Sequence, residues 1–227
     1  MVSEKVLVIV AHPDDEIIGC GATIEKFKKN KLIKVLFTCK THDNRNNFRN
    51  VDSYEKRKLI AKKVSKYLGI TMPEFLEKFQ GLQIQRKEIT EMAKLIYNKI
   101  VDFRPNIILT HCVDDNHHDH RATAEAVFIA TRPVKSISFL KQIYSFEIAS
   151  ASEKLFKHKR SFNPSYFVDV TKTYKMKLDI LKKFYFNELR PYPNFRSIKS
   201  IKNQMQYRGN SVNLNFAEAF EIIRIIN

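Results

Sequence analysis

The chain has 227 residues and a formal net charge of +16, with 44% apolar, 28% charged and 11% aromatic residues. That balance excludes the aromatic-poor, highly charged composition of a disordered chain, and five glycines and seven prolines exclude collagen-like or low-complexity sequence. The length suits one domain, residues 1–227, because single cores grow to roughly 200 to 250 residues before splitting.

No apolar run approaches the roughly 18 residues of a membrane helix. The N-terminal VLVIVA stops at His12-Pro13-Asp14-Asp15, and no small-residue cleavage site follows it. The chain therefore reads as soluble and cytoplasmic, with no membrane span. Cys20, Cys39 and Cys112 are odd in number, far apart and without a C-x-x-C pair, which is no disulfide framework.

The basic residues are mostly lysine and are spread along the chain, in Lys26 to Lys40, Lys56 to Lys66 and Lys154 to Lys183. So diffuse a field reads as a solvated basic surface, and nucleic acid is not the expected partner. An anionic small substrate would also exploit it. The rival reading is a basic nucleic-acid-binding protein without chemistry, whose binding would fall steeply with salt and ignore metal.

In chain order, residues 5 to 11 (KVLVIVA) are a short valine-rich run suited to a buried parallel strand. A helix is predicted from about Glu16 to Lys29, with Ile17, Ile18, Ala22, Ile24 and Phe27 on one side and lysines in its last turn. Ile33 to Cys39 is a second buried strand. Tyr54 to Leu68 has helical spacing, with Gly69 as its C-terminal cap, and Arg86 to Val101 is another helix. Asn106 to His111 is a third buried strand, followed by a helix from Asp119 to Ala130. Strands are predicted at Gln142 to Glu147 and Tyr166 to Val170, and a lysine-rich helix at Thr173 to Phe186. Beyond the Pro-Tyr-Pro break at 191 to 193, a helix is expected near Ser197 to Tyr207 and a short element near Ala217 to Ile226.

This alternation predicts an α/β fold, a mostly parallel sheet with helices on both faces, extended at the C-terminus by helices and short strands. Such sheets bind ligands at the carboxyl ends of their strands. Two loops there carry metal-type side chains.

The first, His12-Pro13-Asp14-Asp15-Glu16, runs one imidazole and three carboxylates straight off a buried strand. Such a cluster needs solvent or a cation, because like charges raise one another's pKa. A helix N-terminus dressed with acids accounts for Asp15 and Glu16, but not for His12. The second loop, Asp114-Asp115-Asn116-His117-His118-Asp119-His120, follows His111, and four of the seven histidines fall between 111 and 120. On a helix starting near His118, His120 shares an inner face with Ala124 and Val127, and His117 sits at the loop mouth. Spacing alone leaves a metal site and a polar surface loop both open.

AHPDDE after the first strand, followed by His117-His118-Asp119-His120-Arg121-Ala122, resembles the PIG-L (LmbE-like) family of zinc-dependent N-deacetylases. Arg208-Gly209 and Ala217-Glu218-Ala219-Phe220 resemble that family's C-terminal elements, so the likeness runs the length of the chain. It implies a Rossmann-like fold with Zn2+ held by His12, Asp15 and His120 and a position left for water. It further implies Asp14 as general base and His117 as the group that stabilises the oxyanion. Three protein ligands and an open site lower the pKa of a bound water toward ~7, which agrees with that assignment. Fe2+ or another divalent ion would suit the same donors. Asp119 is a candidate to orient a ligand histidine, or simply a helix-start acid.

The sequence departs from the family's R-x-x-E element, which here reads Arg57-Lys58-Leu59-Ile60, and from the proline often found where His118 stands. Arg57, at the edge of an apolar helix face, is a candidate substrate-binding residue or a snorkelling surface arginine. His42 and Asp43 are weaker substrate candidates, and His158 belongs to a solvated charge run. Arg190, Arg196 and Arg208 would bind a phosphate if they converged. Gly19-Cys20-Gly21 begins a glycine-rich turn, but no third glycine completes a nucleotide fingerprint.

The expected function is removal of an N-acetyl group from a small amino-sugar conjugate of the N-acetylglucosamine type. The positive charge favours a phosphate- or nucleotide-linked sugar from cell-surface polysaccharide synthesis. A homo-oligomer is compatible with all of this.

Overall fold

The computed structural model describes residues 4–41, 53–152 and 162–227. Seven strands form one sheet: β1 (Glu4–Val10), β2 (Lys31–Lys40), β3 (Glu74–Gln80), β4 (Ile107–His111), β5 (Gln142–Phe146), β6 (Tyr166–Asp169) and β7 (Ala217–Ile225). The helices are α1 (Asp15–Phe27), α2 (Tyr54–Leu68), α3 (Arg86–Phe103), α4 (His118–Ala130), α5 (Ala149–Ser152), α6 (Tyr174–Phe184) and α7 (Ile198–Asn210). The sheet order is β3-β2-β1-β4-β5-β7-β6. The first five strands run parallel, and β7 lies antiparallel between β5 and β6.

The alternation of β1 builds two cores, one on each face of the sheet. Val6, Val8 and Val10 pack beneath α1, α2, α6 and α7, while Leu7 and Ile9 pack beneath α3 and α4. Because both faces are covered, β1 is a continuous apolar run rather than an alternating one. Ser53 caps α2 by accepting the Lys56 N–H, and Gly69 ends it in the left-handed conformation at φ 68°.

Two strands differ from expectation. Strand β3, EFLEKFQ, was not visible in the sequence, because it is an edge strand whose glutamates and lysine face outward. Only Leu76 and Phe79 are buried there, and Lys34 and Lys99 reach Glu74 from its neighbours. The C-terminal element expected to be short is the nine-residue β7, and with β6 it completes the main sheet.

Candidate functional site

Strands β1 and β4 are hydrogen-bonded neighbours, so the loops that leave their carboxyl ends emerge side by side. The order reverses at β1, with β2 on one side and β4 on the other, which opens the crevice where α/β sheets bind ligands. The loop after β1 carries His12 to Asp15. It turns sharply at Asp14, which sits at φ 119°, a conformation that costs a non-glycine residue on the order of 1–3 kcal/mol. The turn is held because the Asp14 carbonyl accepts the Ile17 and Ile18 N–H groups and its own N–H donates to Glu16 Oε2 at 2.9 Å.

The two loops converge on Asp15. Its Oδ2 lies 3.3 Å from His12 Nδ1 and 3.4 Å from His120 Nε2. Ligand atoms bound tetrahedrally at 2.0–2.2 Å stand about 3.4 Å apart, so each of these two separations, and the N and O donor set, suits a zinc-type cation. The far nitrogen of each histidine faces a buried carboxylate, His12 Nε2 at 2.8 Å from Asp119 Oδ2 and His120 Nδ1 at 3.1 Å from Asp115 Oδ2. Carboxylates behind ligand histidines are the usual means of fixing the ring and its tautomer. Asp119 is itself held by the Leu82 N–H, 2.8 Å from Oδ1, in the turn that follows β3. Asp115 accepts the His117 N–H at 2.7 Å and the Ser152 hydroxyl at 3.1 Å.

Four imidazoles surround this point. His111 stacks on His120 at 4.0 Å between ring centres, and His117 stacks on the same ring at 4.5 Å. His12, His117 and His120 each bring a ligand atom within 4.8 Å of the others, and Asp15, His111 and His120 do the same. The His111 Nε2 lone pair is already taken by the Ala11 N–H at 2.9 Å. His117 Nδ1 accepts the Asp119 N–H at 3.3 Å, which leaves Nε2 as the protonated nitrogen.

Burial and mutual charge set the ionisation. Burial pushes Asp15 up, but His120, His12 and His111 together hold it well below the ordinary carboxylate range. Burial opposes a charge on His120 as well, and Asp15 and Asp115 overcome it, raising the ring to about 10. His12 is raised for the same reason by Asp119 and Asp15. Burial, then the charges of His120 and His12, press His117 down to about 3, so it is a neutral imidazole. Positive charge thus gathers on the two rings that flank Asp15, where a cation would take the place of their protons.

Asp14 points into the adjoining cavity, about 290 Å³, which is also lined by Arg57, His117, Arg190, Asn194 and Arg196. Burial raises its carboxyl to about 6 against the opposing pull of Arg196 and Arg57. Arg57 Nη2 donates to Asp14 Oδ1 at 3.1 Å and to the Pro13 carbonyl at 2.6 Å, and Arg196 Nη2 donates to Asp14 Oδ2. Arg57 is buried rather than snorkelling, and its Nη1 lies 3.4 Å from Glu188 Oε1. The acid absent from position 60 is matched by one that arrives from the turn after α6.

The glycines of α1 serve packing. A Cβ on Gly19 would stand 2.3 Å from the Phe146 ring, so the glycine lets α1 lie against β5. One residue on, Cys20 leaves the helical conformation at φ −140°, and the backbone groups around this break are taken up by Lys177 and Glu218. The buried carboxylates and these close contacts leave no cradle for a pyrophosphate, which needs positive potential and open backbone N–H groups.

His12, Asp14, Asp15, Arg57, His117, Asp119 and His120 therefore meet in one place. Arg190 and Arg196 line the same cavity, but Arg208 is turned away in a two-pronged bond to Glu147, 2.7 Å on each arm. His118 is directed to the Ile84 carbonyl at 2.8 Å. His42, Asp43 and His158 lie outside the described residues. Asp115, Glu188 and Asn194 had no reading from sequence. Of these only Asp115 left a signal, as an acid inside the histidine loop.

Residues 7–131 match the family model of PIG-L, the GlcNAc-PI de-N-acetylases. The chain belongs to this family. No curated protein matches it significantly. Among solved structures, the PIG-L chain is similar to a conserved protein of Thermus thermophilus, at 18% identity and a TM-score of 0.72 over 98% of this chain and 96% of that one. It is also similar to N,N'-diacetylchitobiose deacetylase of Pyrococcus horikoshii, at 18% identity and a TM-score of 0.70, covering 98% and 85%. The 4-carboxy-2-hydroxymuconate hydratase of Pseudomonas putida KT2440 shares the fold at 15% identity and a TM-score of 0.75, covering 99% and 98%. A hydratase and a deacetylase on one fold mean that the reaction must be argued from the site. No helix among the described residues is long and apolar enough to cross a membrane.

Proposed function

We propose that this PIG-L protein is a metal-dependent hydrolase that removes the acetyl group from the nitrogen of an N-acetylglucosamine-type sugar. The observation that carries the reading is Asp15 Oδ2, set 3.3 and 3.4 Å from one nitrogen each of His12 and His120, with Asp14 beside it at the cavity wall. Family membership and the deacetylase among its structural relatives support the same chemistry.

His12, Asp15 and His120 are the residues that would hold the cation, Zn2+ first and Fe2+ as the alternative that the donors also suit. A cation bound there supplies Lewis acidity and a water whose pKa falls toward ~7. Asp14 takes the proton of the attacking water and returns it to the departing amine nitrogen. Each of its oxygens keeps an acceptor position beyond the arginine it already meets, so the base stays available while Arg57 and Arg196 fix its aim. His117, neutral and protonated on Nε2, donates to the acyl oxygen as negative charge develops there. Arg57 meets the substrate at the cavity wall together with Asp14, which it positions.

Arg196 is committed to Asp14 and Arg208 to Glu147, so the three arginines do not form a phosphate fork. The substrate is read as a small amino-sugar conjugate, and Arg190, whose guanidinium donates to the Asn187 and Leu189 carbonyls, lines the cavity that would take it.

The test is metal content per chain, by mass spectrometry, for the wild type and His120→Ala purified alike, paired with acetate release from N-acetyl sugars. About one metal per wild-type chain, lost in the variant together with acetate release, is the expected result. Equal metal content in both proteins, or turnover that survives metal removal, would overturn it.

A further inference from the structure

Three buried ionisable groups beside the site have no part in the chemistry above: Glu16, Tyr185 and Glu188. Burying such groups opposes folding, and an apolar side chain of similar size would fill each place at less cost. What they bind is therefore the guide to their use. Glu16 spans two partners, accepting the Asp14 N–H on Oε2 at 2.9 Å and the Tyr185 hydroxyl on Oε1 at 2.7 Å. Glu188 Oε1 stands 3.4 Å from Arg57 Nη1, and the other arm of that guanidinium donates to Asp14 Oδ1 at 3.1 Å. Two routes thus start at Tyr185 and Glu188 and end on Asp14, one at its main chain and one at its carboxylate.

Both routes leave from a single turn. Helix α6 ends at Phe184, and Phe186–Glu188 close a 3₁₀ turn in which the Glu188 N–H donates to the Tyr185 carbonyl at 2.9 Å. Side chains three residues apart eclipse one another in such a turn, so Tyr185 and Glu188 face the site together while Phe186 between them turns to solvent, at 61% exposure. The turn is fixed at both ends. The Tyr185 N–H donates to the Leu181 carbonyl at 3.1 Å, and Arg190 Nη1 donates to the Asn187 and Leu189 carbonyls at 3.0 and 2.9 Å. Beyond it runs the segment whose Phe195 lines the catalytic cavity and also a larger one, about 760 Å³, walled by the outer face of α7. Asp14 needs bracing of this kind, since a non-glycine residue stays at φ 119° only where its surroundings hold it.

We infer that Tyr185 and Glu188 are positioning residues for the hydrolysis, holding the Asp14 carboxylate in line with the attacking water through Glu16 and Arg57. Neither lines the catalytic cavity, so each acts through the residue it binds. The inference rests on the reading of Asp14 as the base.

The experiment measures acetate release from N-acetylglucosamine by the zinc-loaded full chain carrying Tyr185→Phe, which removes only a hydroxyl, or Glu188→Gln, which removes only a charge. Each is also combined with Asp14→Ala. Misplacing a reacting group by about 1 Å slows a reaction up to about 100-fold, so kcat should fall about tenfold in each single variant, with KM and metal content unchanged. With Asp14→Ala there is no base to place, and neither substitution should lower kcat further. A fall that persists in that background, a change carried by KM alone, or full turnover in either single variant would overturn the inference. Near-normal turnover by Asp14→Ala, or no acetate release by the wild type, would instead count against the catalytic reading, and positioning is then judged by crystal structures of the two variants. An Asp14 that leaves the φ 119° turn, or whose carboxylate moves by about 1 Å, supports the inference, and an unmoved Asp14 overturns it.

Discussion

Lys177 and Glu218 meet in the protein interior with Nζ 2.7 Å from Oε1, and between them they bind the two backbone groups that an unbroken α1 would pair with each other. The Ile18 carbonyl accepts from Lys177 Nζ at 2.7 Å, and the Ala22 N–H, four residues on, donates to Glu218 Oε1 at 3.1 Å. A second Glu218 oxygen takes the Thr23 N–H at 2.7 Å. The helix that presents Asp15 is therefore interrupted one turn later and mended by side chains from α6 and β7.

Lys177→Met should leave Glu218 as a lone charge in a dry environment and destabilise the protein by about 3–5 kcal/mol. Urea unfolding should show a lower midpoint at an unchanged slope. A loss below about 1 kcal/mol would mean that water reaches the pair.

Asp115→Asn should weaken metal affinity about 10- to 100-fold, because the carboxylate that backs His120 Nδ1 is replaced by a neutral amide. Competition with a chelator of known affinity measures this, and an unchanged constant would remove Asp115 from the support of the site.

Gly81→Ala should act on the same property from the other loop. A Cβ there would stand 2.6 Å from the Lys40 carbonyl oxygen and 2.7 Å from Asp119 Oδ2, so Asp119 must shift away from His12. Weaker metal binding in a chain that still folds is expected, again by about 10- to 100-fold. If Asp119→Asn added fully to the Gly81→Ala effect, the two would not share a cause.

Asp14→Ala and His117→Ala should both keep their metal and lose turnover, by about 10²–10⁴ for the base and about 10²–10³ for the oxyanion donor. Metal analysis alongside acetate release separates chemistry from binding. Loss of metal from His117→Ala with retention in His120→Ala would reverse the roles assigned to those histidines.

The parallel half of the fold was legible because burial on both faces forces unbroken apolar runs, as in β1 and β4, and because Ser53 and Gly69 mark the ends of α2 by side-chain and backbone chemistry. The edge strand β3 was not, since it fully buries only Leu76 and Phe79, with Phe75 half-covered against Phe37, in a charged background. In the site, residues carried by the two strand-end loops stood out as local clusters. Glu188 did not, and Arg196 was read only as a phosphate candidate, because each meets its partner across more than a hundred residues and neither sits in a patterned stretch. Arg57 is intermediate. Its misplaced charge was visible on the helix face, but the acids that balance it come from elsewhere in the chain.

The family match ends at residue 131, whereas every described residue lining the larger cavity lies at 149 or beyond. The loops that carry His12, Asp15 and His120 hang from two adjacent central strands, whose register fixes them. The wall of the larger cavity is carried by a turn and one face of a late helix. Change on the outer face of α7 can therefore reshape that cavity and leave these loops untouched, whereas change in the segment before it reaches Arg196 and, through it, Asp14.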